Sequence, residues 1–185
     1  MMTTTDKTEH TPAAVHQGPL ADTELQNIAT QFLALESKLL DEAREEDWYQ
    51  LLDPELLYVI PIRQATEQRS DEVNRAAFRV RDTLAHVRLR IDRLSTAKAY
   101  SEIPPSRTMR LVGSVLARQT DRDDVIAVSS AVLLYRQRGI DPHFDLIPYR
   151  RNDELRITAD GPRLLSREIL LTEVAIATPN LGLFL

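Results

Sequence analysis

The adjacent prolines Pro104 and Pro105 divide the chain into two halves of different character, and no other feature constrains the fold as strongly. Before them, apolar residues recur at three- and four-residue steps; after them, short β-rich segments alternate with turn-forming residues. Each proline fixes φ and pushes its predecessor out of the helical region, so an extended segment starting at Arg107 is expected.

In the first half, Leu25, Ile28, Phe32, Leu35, Leu39 and Ala43 place one apolar stripe on a helix, with Asp22 or Thr23 as its N-cap. Glu45-Glu46-Asp47 leads into Trp48, Leu51 and Leu52, a pattern for a short second helix that stops before Pro54. Leu56 to Ile62 reads as a buried strand, and polar residues 63–74 as a long loop. Val80, Leu84, Val87, Ile91 and Leu94 predict a third helix.

In the second half, four strands are expected over 107–119, 124–137, 144–157 and 163–176. The breaks at 121–124, 139–142 and Asp160-Gly161 have the chemistry of hairpin connections, so the strands form an antiparallel meander. Gly113 suggests a bulge or bend, and Pro148 an edge or bulge. Segregated helices and strands make the fold class α+β, a curved antiparallel sheet wrapped around the N-terminal helices.

A chain of 185 residues, 43% hydrophobic, supports one core, so a single domain is expected over 22–185 behind a flexible tail at 1–21. The absence of cysteine excludes disulfides, thiolate zinc sites and cysteine-ligated iron–sulfur clusters, and fits a reducing compartment. No stretch approaches the roughly 18 apolar residues of a membrane span, and the N-terminus lacks a secretion signal, so a cytoplasmic protein is expected. A net charge of −5 gives no general pull on nucleic acid. Arginines 69, 75, 79, 81, 88, 90 and 93 crowd one region but are interleaved with acids, as on a solvated or intersubunit face. Twenty arginines against three lysines suit contact surfaces, or reflect genomic base composition.

Catalytic signals are sparse. His10 and His16 lie in the tail, His86 on the third helix and His143 in a turn, which is not the spacing of a two-histidine, one-carboxylate iron site. The five glycines never cluster into a phosphate loop, and neither Ser101 nor Ser106 sits in a nucleophile elbow. Trp48 suits core packing or an interface anchor. Leu181, Leu183, Phe184 and Leu185 must be buried, in the chain's own core or on a partner, since covering two such side chains contributes about 3–6 kcal/mol.

Several segments occur in an order that carries a resemblance: Leu39-Leu40-Asp41-Glu42, Tyr58-Val59-Ile60-Pro61-Ile62-Arg63, Ala99-Tyr100-Ser101-Glu102, Pro104-Pro105-Ser106-Arg107-Thr108, Leu134-Tyr135-Arg136, Tyr149-Arg150-Arg151, Arg167-Glu168-Ile169-Leu170-Leu171 and the Asn180 to Leu185 terminus. Together they make the chain resemble the small (beta) subunit of aromatic-ring-hydroxylating dioxygenases. Tyr100, Met109, Leu164-Leu165 and Thr172-Glu173 depart from the family's usual pattern.

The resemblance implies a cone-shaped, cystatin-like scaffold of the nuclear transport factor 2 type. It also implies a large (alpha) subunit as partner, three large with three small, no nucleic-acid or membrane partner, and a structural role without catalytic residues on this chain. A Rieske [2Fe-2S] cluster and a mononuclear iron would then belong to the large subunit, with no cofactor here. In that role Arg63, Arg107 and Arg110 are the candidates for fixed ion pairs or subunit contacts, and Phe184 for a subunit contact. Two alternatives use the same cone: a metal-independent isomerase or dehydratase working through Tyr58, Asp92 and His143, and a stand-alone binding protein.

Overall fold

The computed structural model describes residues 18–95, 105–140, 142–175 and 182–185. Helix α1 spans Thr23–Asp41, α2 Glu45–Tyr49 and α3 Leu84–Ser95; the strands are β1 Leu52–Arg63, β2 Val73–Thr83, β3 Ser106–Gln119, β4 Val125–Arg138, β5 Phe144–Thr158 and β6 Gly161–Leu171. They form one sheet in the order β2-β1-β6-β5-β4-β3. The expected meander is present as β3 to β6, each antiparallel to the next.

The sheet is nevertheless mixed, because β1 and β6 run parallel. β2 folds back on β1, and α3 then starts the chain's passage to the far edge, where β3 begins. The meander returns strand by strand until β6 meets β1. A parallel pair needs such a long crossover, and no local residue pattern announces it.

Asp22 caps α1 as expected, its Oδ1 accepting from the Leu25 N–H at 2.9 Å. The buried face of α1 keeps Phe32 and Leu39 of the anticipated stripe, with Leu25 and Ile28 half-buried, but Leu35 is exposed and Ala43 lies past the helix at φ 53°. Ala29, Leu33, Glu36, Ser37 and Leu40 are buried beside them. Positions 29, 33, 36 and 40 follow the 3.6-residue period closely, and that face is set by the sheet rather than by counting apolar letters.

The loop expected over 63–74 is shorter, because β2 starts at Val73, and Val80 belongs to β2 opposite Ile60 rather than to α3. Phe78 and Val80 alternate with Arg79 and Arg81, a period-two pattern that coincides with the first step of the helical count. Pairing with β1 resolves the ambiguity. β6 ends at Leu171, short of the expected 176.

Gly113 sits at a register shift in β3 as expected, with Ser114 at φ 52°. Pro148 marks neither an edge nor a bulge: β5 lies inside the sheet and Pro148 pairs opposite Leu133 without a shift. Its carbonyl accepts from the Thr172 N–H at 3.1 Å, just past the end of β6, so the missing N–H points where that strand has run out.

The β3 edge is covered by the chain itself. Of the tail expected over 1–21, residues 18–21 run along β3, with Ala21 N–H donating to Ala117 O and Gln119 N–H to Pro19 O, both at 3.0 Å. The rest of that segment lies outside the described residues. Gln26 accepts from the Ala117 N–H and donates to Val115 O, while Asp41 accepts from the Arg110 N–H. These contacts satisfy edge groups that would otherwise template another strand. The core lies between the helices and the sheet face turned toward them, with Phe32, Leu33, Trp48, Tyr58, Ile60, Ile91, Leu134, Leu155 and Ile169 fully buried.

Candidate functional site: a sealed interior and an exposed outer face

Glu36 occupies the middle of the buried face of α1, where an unpaired carboxylate would be prohibitive. Its Oε1 accepts from Trp48 Nε1 at 3.0 Å and Arg167 Nη1 at 2.7 Å, and its Oε2 from Arg151 Nη1 at 2.9 Å and Arg167 Nη2 at 2.8 Å. Arg167 reaches on to Asp153, donating from Nε to Oδ1 and from Nη2 to Oδ2, both at 2.9 Å. None of these four charged residues is more than 1% exposed, and two carboxylates balance two guanidinium groups.

Burial pushes the Glu36 carboxyl upward, but the charges of Arg167 and Arg151 and the hydrogen bonds outweigh it and hold the group at about 2. Burial works against the Arg167 cation as well, and Asp153 and Glu36 reverse it, so its pKa lies well above the usual arginine value. Glu36 and Arg167 are therefore both ionised at ordinary pH.

The C-terminal residues close over this network. Tyr58 donates its hydroxyl to Leu185 O at 3.1 Å and accepts from Leu185 N–H at 2.9 Å, and burial lifts its phenol to about 12, keeping the proton in place. Three arginines from three elements hold successive carbonyls: Arg90 that of Leu183 at 2.9 Å, Arg110 that of Phe184 at 2.6 Å, and Arg167 that of Leu185 at 3.3 Å. The Phe184 ring lies between the Arg90 guanidinium, 4.3 Å from its centroid, and the Trp48 ring at 4.6 Å. For Phe184 and Leu185 the open question of where the apolar terminus is buried thus resolves in favour of the chain's own core, with Leu183 half-buried against it and Leu181 outside the described residues; Trp48 is a core residue too.

The four candidate contact residues separate. Arg110 is buried, paired with Asp41 and clamped to Phe184. Phe184 itself is 2% exposed. Arg63 donates to Glu72 at 2.7 Å and pins the β1–β2 loop. Arg107 stands on the outer face of β3, bonded to Gly139 O at the β4–β5 turn. In the arginine-rich stretch, Arg75 pairs with Glu168, Arg79 donates to Val174 O, Arg88 pairs with Glu46 and Asp92, and Arg90 with Asp82, so much of that charge ties the chain to itself.

The acid–base set of the isomerase alternative is not assembled. Tyr58 is sealed under Leu185, Asp92 is exposed and paired with Arg88 on α3, and His143 is exposed at the β4–β5 turn. Among the described residues, no group of three histidine or carboxylate side chains is placed to hold a metal ion.

The opposite face of the sheet is different in kind. Met109 and Leu111 on β3, Leu133 and Tyr135 on β4, and Phe144 and Leu146 on β5 all point away from the helices. Met109, Leu111, Leu133, Phe144 and Leu146 are 54, 60, 40, 54 and 48% exposed. Register makes them neighbours: Leu111 lies opposite Leu133, and Met109 opposite Tyr135, which in turn faces Leu146. Tyr135 and Phe144 stack at 5.3 Å. Monomeric proteins rarely leave so continuous an apolar surface in water.

Arg107 and Arg150 are exposed at either side of this patch. Toward β1 the same face turns polar, with Glu168 bonded to Arg75 and Asn152. Sequence reading missed both regions. Their signals were present: Glu36 lies four residues after Phe32 and four before Leu40, and Leu133-Leu134-Tyr135 is apolar at both parities, the mark of a strand covered on two faces.

Comparison with known proteins adds the following. Residues 35–178 match the family model described as ring hydroxylating beta subunit. The chain is 42% identical over 158 residues to the beta subunit of N,N-dimethyl phenylurea N-demethylase from Sphingobium sp. strain YBL2, covering 85% of this chain and 90% of that one. Its fold matches a chain of naphthalene 1,2-dioxygenase, solved with indole in the active site, at a TM-score of 0.79 and 23% identity, over 89% of this chain and 88% of the other. A nuclear transport factor 2-like protein of cystatin-like fold from Novosphingobium aromaticivorans matches at a TM-score of 0.55 and 16% identity, over 82% of this chain and 84% of that one.

Proposed function

The chain belongs to the family of ring-hydroxylating beta subunits, and from that premise we propose that its task is structural: it supports a large (alpha) subunit that carries out the oxidation. Membership makes it one subunit of a multi-subunit oxygenase, with the large subunit as its partner. The assembly is three large with three small subunits, and the Rieske [2Fe-2S] cluster and mononuclear iron are held by the large ones.

The single observation that carries this reading is the state of the interior. In a cone scaffold that works as an enzyme, convergent titratable groups need access to substrate. Here the space under α1 holds a neutral ion network, and Leu183, Phe184 and Leu185 close it. The composition supports the cofactor assignment independently, because a Rieske cluster needs thiolate ligands and this chain has no cysteine. A rigid base fits the chemistry of the partner, whose metal centres must be held in fixed geometry for electron transfer and oxidation.

The substrate is an aromatic compound bound by the large subunit. The phenylurea demethylase relative widens the range of oxidations to consider beyond ring hydroxylation. The protein works in the cytoplasm, a reading supported by the cysteine-free composition; among the described residues no helix is long and apolar enough to cross a membrane.

Co-expression with the cognate large subunit tests the proposal. Native mass spectrometry should give three copies of each chain, iron and sulfide should follow the large chain after separation, and the small chain alone should be colourless and inactive. Product formed by the small chain alone, or iron retained by it, would overturn the proposal.

A further inference from the structure

The proposed function leaves open which surface the large subunit occupies, and the outer face of β3, β4 and β5 answers that question while resting on the same reading. We infer that the patch centred on Leu111, Leu133 and Leu146, flanked by Arg107 and Arg150, is the seat of the large subunit, and that the surface it receives is apolar at its centre and carries carboxylates at its margin.

Two observations select this occupant over a second copy of the chain. The first is charge. Arg107 and Arg150 are exposed beside the patch, while the carboxylates on nearby strands are engaged elsewhere, Asp145 with Arg136 and Glu154 with Ser166. A two-fold contact between identical patches would set arginine against arginine, at a cost that grows as water is excluded. The second is shape. A ring of copies needs two different complementary surfaces on each chain. Among the described residues, the other exposed large apolar side chains are Leu35 on α1, Leu89 on α3, Ile140 at the β4–β5 turn, Val174 after β6, and Leu20 and Leu116 at the β3 edge. These stand singly or, for Leu20 and Leu116, along one strand edge, against five exposed side chains in the patch, so a non-identical chain fits best.

Leu133 is the natural anchor, since it lies at the centre of the patch between Leu111 and Pro148. The test compares the wild-type full-length chain with Leu133→Glu and Arg150→Glu, each tagged and co-expressed with the large subunit. Three quantities are read: the large subunit recovered, the self-association of the small chain alone, and its melting temperature. Leu133→Glu should lower recovery about tenfold or more and Arg150→Glu by a smaller factor, with melting and self-association unchanged. Wild-type recovery by both variants overturns the inference, as does loss of self-association with large-subunit capture intact, which would assign the patch to a second copy. If the wild-type chain itself captures no large subunit, the proposed function fails as well, so the two failures are distinguishable.

Discussion

The helix-facing and outer faces of the same sheet invert the usual arrangement over part of their extent. Inside, Glu36, Arg151, Asp153 and Arg167 are buried and mutually neutralised; outside, Met109, Leu111, Leu133, Phe144 and Leu146 meet water. The contrast separates two kinds of work. Buried ion pairs are weak evidence for net stability, because desolvation offsets most of their attraction, yet removing one partner is costly. The interior therefore penalises alternative packings and closes the chain on itself. The outer patch contributes little to the isolated fold and leaves apolar area for association.

This contrast implies that interior substitutions act on the fold and outer substitutions on assembly. The largest effect is expected for Glu36→Ala, which strands Arg151 and Arg167 in the core and should cost about 3–5 kcal/mol in denaturant unfolding; a loss within experimental error would show the network to be dispensable. Phe184→Ala comes next, at about 3–4 kcal/mol, because it removes the ring between Trp48 and Arg90. An unchanged unfolding midpoint would detach the terminus from the core.

Acid sharpens the same point. The Glu36 carboxyl is lowered from its ordinary 4.5 to about 2, so its contribution is fully present above 4.5 and is lost as the pH falls toward 2. The loss is about 3 kcal/mol, read as a shift of the urea midpoint across that window and absent in Glu36→Gln. Arg107→Ala should cost the fold only about 0–1 kcal/mol while lowering the fraction of assembled complex; equal losses in monomer melting and assembly would make Arg107 a residue of this chain's own fold. Smallest on the fold is Leu133→Ser, within about 0.5 kcal/mol by the same unfolding measurement, since the side chain is partly in water already.

Much of this fold was legible locally. The Asp22 cap, the three helices, the strands after Pro105 and the bulge near Gly113 each follow from short-range chemistry. Strand β2 was missed because the apolar positions of 73–83 coincide at Val80 with the helical count. Pro148 misled because proline argues against an interior strand unless its missing donor faces a neighbour that has already ended, as β6 has. Of the candidate contact residues, Arg107 stands beside the exposed patch, whereas Arg110 and Phe184 are held internally by bonds between residues more than 60 positions apart.

Sequence alone determined the order of helices before strands, the absence of thiol chemistry and the family, because composition, period and motif order are properties of neighbours along the chain. Tertiary structure decided that β1 runs parallel to β6, that Glu36 is a buried hub rather than a surface carboxylate, and which apolar residues remain in water. Strand order assigns each side chain to the helix-packed or the open face, and only that assignment determines whether a charge needs partners within the chain and whether an apolar side chain has found one.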